Sequence, residues 1–245
     1  MAGRRPRRDA VMPLGVTRAP ELPGSPEELT TVDLGDVDDD EALRDVRLTG
    51  DAVGRTIEGL SLRGAVVAGC RLTGATLSGL ELEDVVLTDC DLSGATIAGA
   101  VLRRVTIERC RLSGVVANDV SGTDLAVRDC RGDEAWLRAA RLEHCDITDC
   151  ELTSSDWYGA DVRRSRILRT RLDGSELSSA VLRDVALNGS SLAGVRGADL
   201  RDVVIGTDQI MELAVALFAT RGIAIDDAAG DDPVGDAAAG DDTAG

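Results

Sequence analysis

The chain has 245 residues, one histidine, no lysine, six cysteines, 2% aromatic residues and a formal net charge of −17. No stretch has the uninterrupted apolar length of a membrane span, and so acidic a chain does not bind nucleic acid directly. With a single histidine, no lysine and no glycine-rich phosphate loop, an acid, base and nucleophile constellation is missing, so no catalytic residue, cofactor or metal is expected and the chain is not read as an enzyme.

Residues 1–44 read as a flexible charged arm. It is basic first (Arg4, Arg5, Arg7, Arg8) and then acidic (Glu27, Glu28, Asp38, Asp39, Asp40, Glu41), with its end tucked over the start of the neighbouring segment. All six prolines lie at 26 or before, or at 233, which leaves the middle of the chain free to donate every backbone amide.

From 45 to 206 the chain repeats. Cys70, Cys90, Cys110, Cys130 and Cys150 stand twenty residues apart, and Thr170 and Ser190 continue the series with small residues. Within each interval a large aliphatic residue recurs every fifth position, as in Leu62, Val67, Leu72, Leu77, Leu82 and Leu87, and onward to Leu192, with a small residue two places before it. Neither a helix nor a flat strand has a period of five. The unit must turn the chain and stack, so that residues twenty apart lie above one another.

These residues resemble the pentapeptide repeat family, whose pattern is a small residue, any residue, a Leu or Phe, and two more. The likeness covers roughly 57–205. It implies an all-β solenoid, a right-handed quadrilateral β-helix of about seven to eight coils, with coils spaced about 4.8 Å apart like parallel strands. Two departures stand out. The family's frequent Phe fills no central position, and Trp157 is an unusually large occupant. Ala117, Gly122 and Gly132 also replace the central aliphatic residue, which predicts a thin core, a bulge or a loop near 113–134, while Thr123-Asp124-Leu125 offers a second local register.

The cysteines read as small buried hydrophobes. Stacked at the coil spacing their β-carbons are farther apart than the roughly 3.8 Å of a disulfide, and Cys145 with His144 supplies too few ligands for a metal. Free thiols without a signal peptide point to a reducing cytoplasm.

After Ile205 the period changes. Ile210, Leu213, Ala214, Leu217 and Phe218 fall at helix spacing, with Thr207 or Asp208 to cap the start and Gly222 to end it, so 207–222 is predicted as a C-terminal capping α-helix. An open last coil needs such a lid. Homodimerisation through the C-terminal end, where family members often pair, is the other use of this element. Residues 223–245 read as a disordered acidic tail.

The best-known activity in the resembled family is mimicry of DNA by an acidic rod that binds gyrase, a type II topoisomerase, and inhibits or protects it. Here residues 1–20 carry +4, residues 21–40 carry −8 and residues 223–245 carry −7, leaving −6 on 41–222. The column Asp84, Arg104, Asp124, His144, Arg164, Asp184 alternates in sign, against a continuous negative stripe. One wall differs: Trp136 and Tyr158 fall on its outward positions one coil apart. They either form a contact surface or cover a poorly packed spot. A non-enzymatic protein-binding or scaffold module with an unidentified protein partner is the leading expectation; a gyrase-directed DNA mimic is the alternative.

Overall fold

The computed structural model describes residues 17–25, 27–197, 200, 202–211, 213, 214 and 218. Its strands pair in parallel, in one twelve-stranded and one two-stranded sheet. From Ser61 to Val181 each pairing advances twenty residues, so that Ser61, Glu81, Val101, Ser121, Arg141, Asp161 and Val181 stand in one line.

The backbone turns at every fifth residue through a positive φ: Gly64, Gly69, Gly74 and Gly79 in one coil, Asp84, Asp89, Gly94 and Gly99 in the next. Four sides of five residues therefore make one coil. Side one carries residues 61–63 and their equivalents twenty apart, side two 66–68, side three 71–73 and side four 76–78. Sides one and two form continuous strands, as in Ser61–Ala68, Glu81–Thr88, Val101–Glu108 and Ser121–Arg128. Glycine adopts the corner conformation without strain and Asp tolerates it; Arg104, Arg109, Arg164 and Arg169 are also held there.

The result is a β-solenoid of about nine turns, more than the seven to eight expected. The difference lies in shortened coils at both ends. Thr30 pairs with Val46 only sixteen residues on, Ala42 with Ser61 nineteen on, and Val185 with Val203 eighteen on. These steps break the period of twenty and so leave no repeat to read. The strands Thr30–Asp33 and Ala42–Arg44 thus lie within the stretch expected to be an arm. The segment between them is tied in as well: Asp40 N donates to Glu58 O at 2.7 Å and Ser61 N to Glu41 O at 2.9 Å.

Inside, the aliphatic column and the small-residue column are buried together in one continuous cluster. All six cysteines are free and buried. Their column also satisfies backbone: Cys90 N donates to Cys110 Sγ and Cys110 N to Cys130 Sγ, each at 3.4 Å. Cys150 N donates to Thr170 Oγ1 at 3.4 Å and Thr170 N to Ser190 Oγ at 3.1 Å, so thiol and hydroxyl serve the same purpose. Cys145 stands in a neighbouring column, where burial pushes its thiol up to about 12.

The coil around 113–134 is regular, with neither loop nor bulge; Ser121–Arg128 is a full-length strand. The missing bulk is supplied by neighbours. A β-carbon at Gly122 would lie 2.9 Å from Leu142 Cδ2 and 3.5 Å from Leu125 Cδ2, and one at Gly132 would lie 2.8 Å from Leu152 Cδ2. Leucines of the following coil fill both gaps. Trp157 fits the axis at 2% exposure because its Nε1 donates to Ser155 Oγ at 2.7 Å, and that hydroxyl donates in turn to Leu152 O at 2.7 Å. An apolar void of about 130 Å³, lined by residues from Leu34 to Trp157, remains along the axis.

At the C-terminal end a short 3-10 helix, Thr207–Gln209, leads into helical backbone at Ile210, Met211, Leu213, Ala214 and Phe218; residues 212, 215–217 and 219–222 of the predicted capping α-helix lie outside the described residues, as does the tail 223–245, so a continuous helical cap is not among the described elements. Among the described residues one side chain hydrogen-bonds across the last coil. Gln209 Nε2 donates to Leu187 O at 2.7 Å and Ser190 O at 2.6 Å, and buried Leu213 joins the core cluster. Helical periodicity caught the apolar residue and missed this glutamine, whose capping role depends on two distant carbonyls.

Candidate protein-contact surface

Side four is stitched by isolated parallel bridges running Thr76, Thr96, Val116, Trp136, Asp156, Glu176, Arg196. Bridges fix the outward direction of Trp136, and Tyr158 follows on the next coil two residues past Asp156. Trp136 is 46% exposed and Tyr158 52%. The structure thus brings the two candidate residues onto one wall, both facing solvent.

Two residues that composition did not single out organise them. Arg138 donates from Nε to Asp156 Oδ2 at 2.7 Å, and its guanidinium carbon lies 5.2 Å from the centroid of the Trp136 ring. The other Asp156 oxygen accepts from the Tyr158 amide at 3.0 Å. Asp156 therefore fixes both the cation that stacks on Trp136 and the backbone that carries Tyr158, and the same carboxylate raises the Arg138 pKa. The signal for this was present in the spacing, since Arg138 stands two residues after Trp136 and Asp156 twenty after it.

Among the described residues no group of His, Cys, Asp and Glu is placed to hold a metal ion, and no helix is long and apolar enough to cross a membrane. The wall thus carries two exposed aromatic rings and a guanidinium stacked on one of them.

Residues 58–89 and 81–116 match the family described as Pentapeptide repeats, in eight copies. Over residues 58–116 the chain consists of pentapeptide repeats. Among solved structures the chain is similar to trypsin-treated QnrB1, a plasmid-mediated fluoroquinolone resistance protein, at 18% identity over 80% of this chain and 99% of that one, with a TM-score of 0.41. It is also similar to HetL, a pentapeptide repeat protein involved in heterocyst differentiation regulation from the cyanobacterium Nostoc sp. strain PCC 7120, at 20% identity over 68% of this chain and 87% of that one, TM-score 0.34. A third is Rfr23 from the cyanobacterium Cyanothece 51142, at 14% identity over 49% and 91%, TM-score 0.38. No curated protein matches the chain.

The other sides of the solenoid are laced by arginine forks. Arg109 donates Nε and Nη2 to the two oxygens of Asp89 at 2.8 and 2.9 Å, and Arg169 does the same to Asp149 at 2.7 and 2.6 Å. Arg71 grips Asp51 likewise, and Arg166 Nη2 reaches Asp146 Oδ2 at 2.9 Å. In each case the arginine lies twenty residues after its acid. Each such pair cancels its own charge, so the acids of these columns do not add into a stripe.

Proposed function

We propose that this protein is a non-enzymatic, cytoplasmic protein-binding scaffold, and that Trp136 and Tyr158 contact its partner. The observation that carries this is the ordered exposure of the two rings: Asp156 holds both the stacked guanidinium of Arg138 and the Tyr158 backbone, so the aromatic surface is already ordered before any partner arrives. Aromatic residues and arginine on a rigid face are the groups that dominate binding energy in protein interfaces.

The DNA-mimic alternative, binding a type II topoisomerase such as gyrase, requires unpaired acids in an unbroken line. Support for it is weakened by the forks at Asp51, Asp89 and Asp149, which set a cation beside each carboxylate.

Self-association through the C-terminal end is supported by Val204, Ile210, Met211 and Phe218, all exposed apolar residues at that end. Light scattering over a range of protein concentrations tests this part.

The test of the main reading has two arms. Partners captured from a bacterial lysate by the wild type are compared with those held by Trp136→Ser/Tyr158→Ser at matched melting temperature; the expected result is loss of a partner from the double variant, and unchanged capture would remove the wall from consideration. Gyrase supercoiling is measured in parallel, with and without a quinolone. Inhibition or protection at micromolar protein would overturn scaffolding in favour of mimicry.

A further inference from the structure

Side two of the rod behaves unlike the others. Residues at the first outward position of a side are half-buried or exposed elsewhere, as at Val101, Val116 and Val181, the last 37% exposed. On side two Val66 is 4% exposed, Thr106 and Ala126 are buried too, and Val86 between them is half-buried.

The described segment that runs there is Thr17–Pro23. Thr17 Oγ1 donates to His144 O at 3.2 Å, the Arg18 amide to Asp124 Oδ1 at 3.1 Å and the Glu21 amide to Asp84 Oδ1 at 3.0 Å. Pro23 Cδ then lies against Gly64, 3.4 Å from where a β-carbon would be. His144, Asp124, Asp84 and Gly64 belong to one corner column, so seven residues of extended chain cross five coils along the rod axis, from late coils to early ones. Recognition is of a particular kind. The corner carboxylates accept backbone amides three residues apart, a corner carbonyl accepts a hydroxyl, and a glycine admits a proline ring.

Two further polar atoms lie on the same side. Asp146 Oδ1 and Arg166 Nε are buried with no hydrogen-bond partner, an acceptor and a donor one coil apart. Buried polar atoms without partners are few in folded proteins, and here they extend the line of groups that an extended chain satisfies.

We infer that side two, with its corner at Asp84 and Asp124, is a groove for an extended peptide of a partner protein, and that residues 17–23 are a strap that occupies it in cis and yields to that peptide. Three hydrogen bonds to side-chain or loop acceptors hold the strap, against the continuous ladder that holds each coil, so it is the part that opens first. The groove and the Trp136–Tyr158 wall are separated by two corners of the coil, and this inference does not depend on that wall.

The test uses the full chain and a labelled peptide with the sequence of residues 17–24 as the probe. Arg18→Pro/Glu21→Pro deletes both amide donors of the strap and leaves every groove residue in place. The probe is expected to bind this variant at least tenfold more tightly than the wild type, whose groove is filled. Adding Asp124→Gly, which removes an acceptor at a corner where glycine is at ease, is expected to weaken that binding at least tenfold. Equal binding to wild type and variant, no binding to the variant, or indifference to Asp124→Gly would overturn the inference. In the unaltered protein the Arg18 and Glu21 amides are expected to exchange more slowly than in a free peptide; free-peptide rates would overturn it independently of any variant. A molar mass that rises with concentration in the wild type but not in Arg18→Pro/Glu21→Pro would assign the groove to the strap of a second copy and overturn the foreign-peptide reading.

Discussion

Arg104 forks onto Asp84 one coil earlier, Nε to Oδ1 and Nη2 to Oδ2, both at 2.6 Å, and its Nη2 also reaches Glu83 at 2.8 Å. Asp84 is only 6% exposed and accepts the Glu21 amide besides. Both residues of the fork stand at corners with positive φ, Arg104 at 52° and Asp84 at 56°. The ion pair thus holds a backbone geometry that a long side chain does not favour by itself.

Replacing Arg104 by glycine relieves the backbone and removes the pair, so the two effects have opposite signs. Relief at such a corner is worth about 1 kcal/mol, whereas stranding a mostly buried carboxylate costs about 3 kcal/mol. Arg104→Gly is therefore expected to destabilise by about 2 kcal/mol in urea unfolding. Arg164→Gly, whose partner Glu143 is well exposed, is expected to be neutral or stabilising.

Stability should fall at both extremes of pH. The Arg104 guanidinium, opposed by burial and helped by the Glu21 amide, holds the Asp84 carboxyl below the ordinary carboxylate value of 3.8. The folded state then binds a proton less readily than the unfolded one; the stabilisation is complete above about pH 4 and is lost as pH falls through the depressed folded value. Thermal melts between pH 7 and 2 are expected to show this loss, with a shallower slope in Arg104→Gly. Cys145 acts at the other end. Its thiol titrates near 9 when unfolded and about 12 when folded, so its stabilisation is complete below about pH 9 and fades as pH rises towards 12. Cys145→Ala is expected to flatten the alkaline part of the melting profile.

Gly122 and Leu142 share one space. Gly122→Ala places a β-carbon 2.9 Å from Leu142 Cδ2 and is expected to destabilise by about 1–3 kcal/mol. Leu142→Val should give back part of that loss, so the two substitutions are expected to be non-additive by at least about 0.5 kcal/mol in a double-mutant cycle.

Gln209 hydrogen-bonds across the last coil to Leu187 O and Ser190 O. Gln209→Ala takes a donor from each carbonyl, leaving Leu187 O with the Ser190 amide at 3.1 Å, and is expected to cost about 1–3 kcal/mol. Faster amide exchange should be confined to the final coils around 181–192, because a solenoid loses stability locally.

The interior of this fold is written in its sequence to an unusual degree. The cysteine interval of twenty fixes the register that pairs Ser61 with Glu81, and the aliphatic residue every fifth place fixes the inward column. Such features are legible because each is repeated. What escaped reading occurs once. The shortened steps from Thr30 to Val46 and from Val185 to Val203 have no second copy to reveal a period. The strap binds through the amides of Arg18 and Glu21, groups that every residue except proline carries. The candidate wall was half legible. Rarity drew attention to Trp136 and Tyr158, but their organiser, Asp156, is one acid among many and is distinguished only by what it touches.

The unequal steps at the two ends also bear on crowding of many copies. A parallel stack of identical coils is the geometry of a fibre, and it grows whenever the top of one molecule offers the outline that the bottom of another requires. Here the opening step spans sixteen residues and the closing step eighteen, so the two terminal perimeters differ from each other and from every coil between them. Head-to-tail stacking would leave amides and carbonyls out of line around the seam. A rod that is periodic inside and aperiodic at its tips has a fixed length.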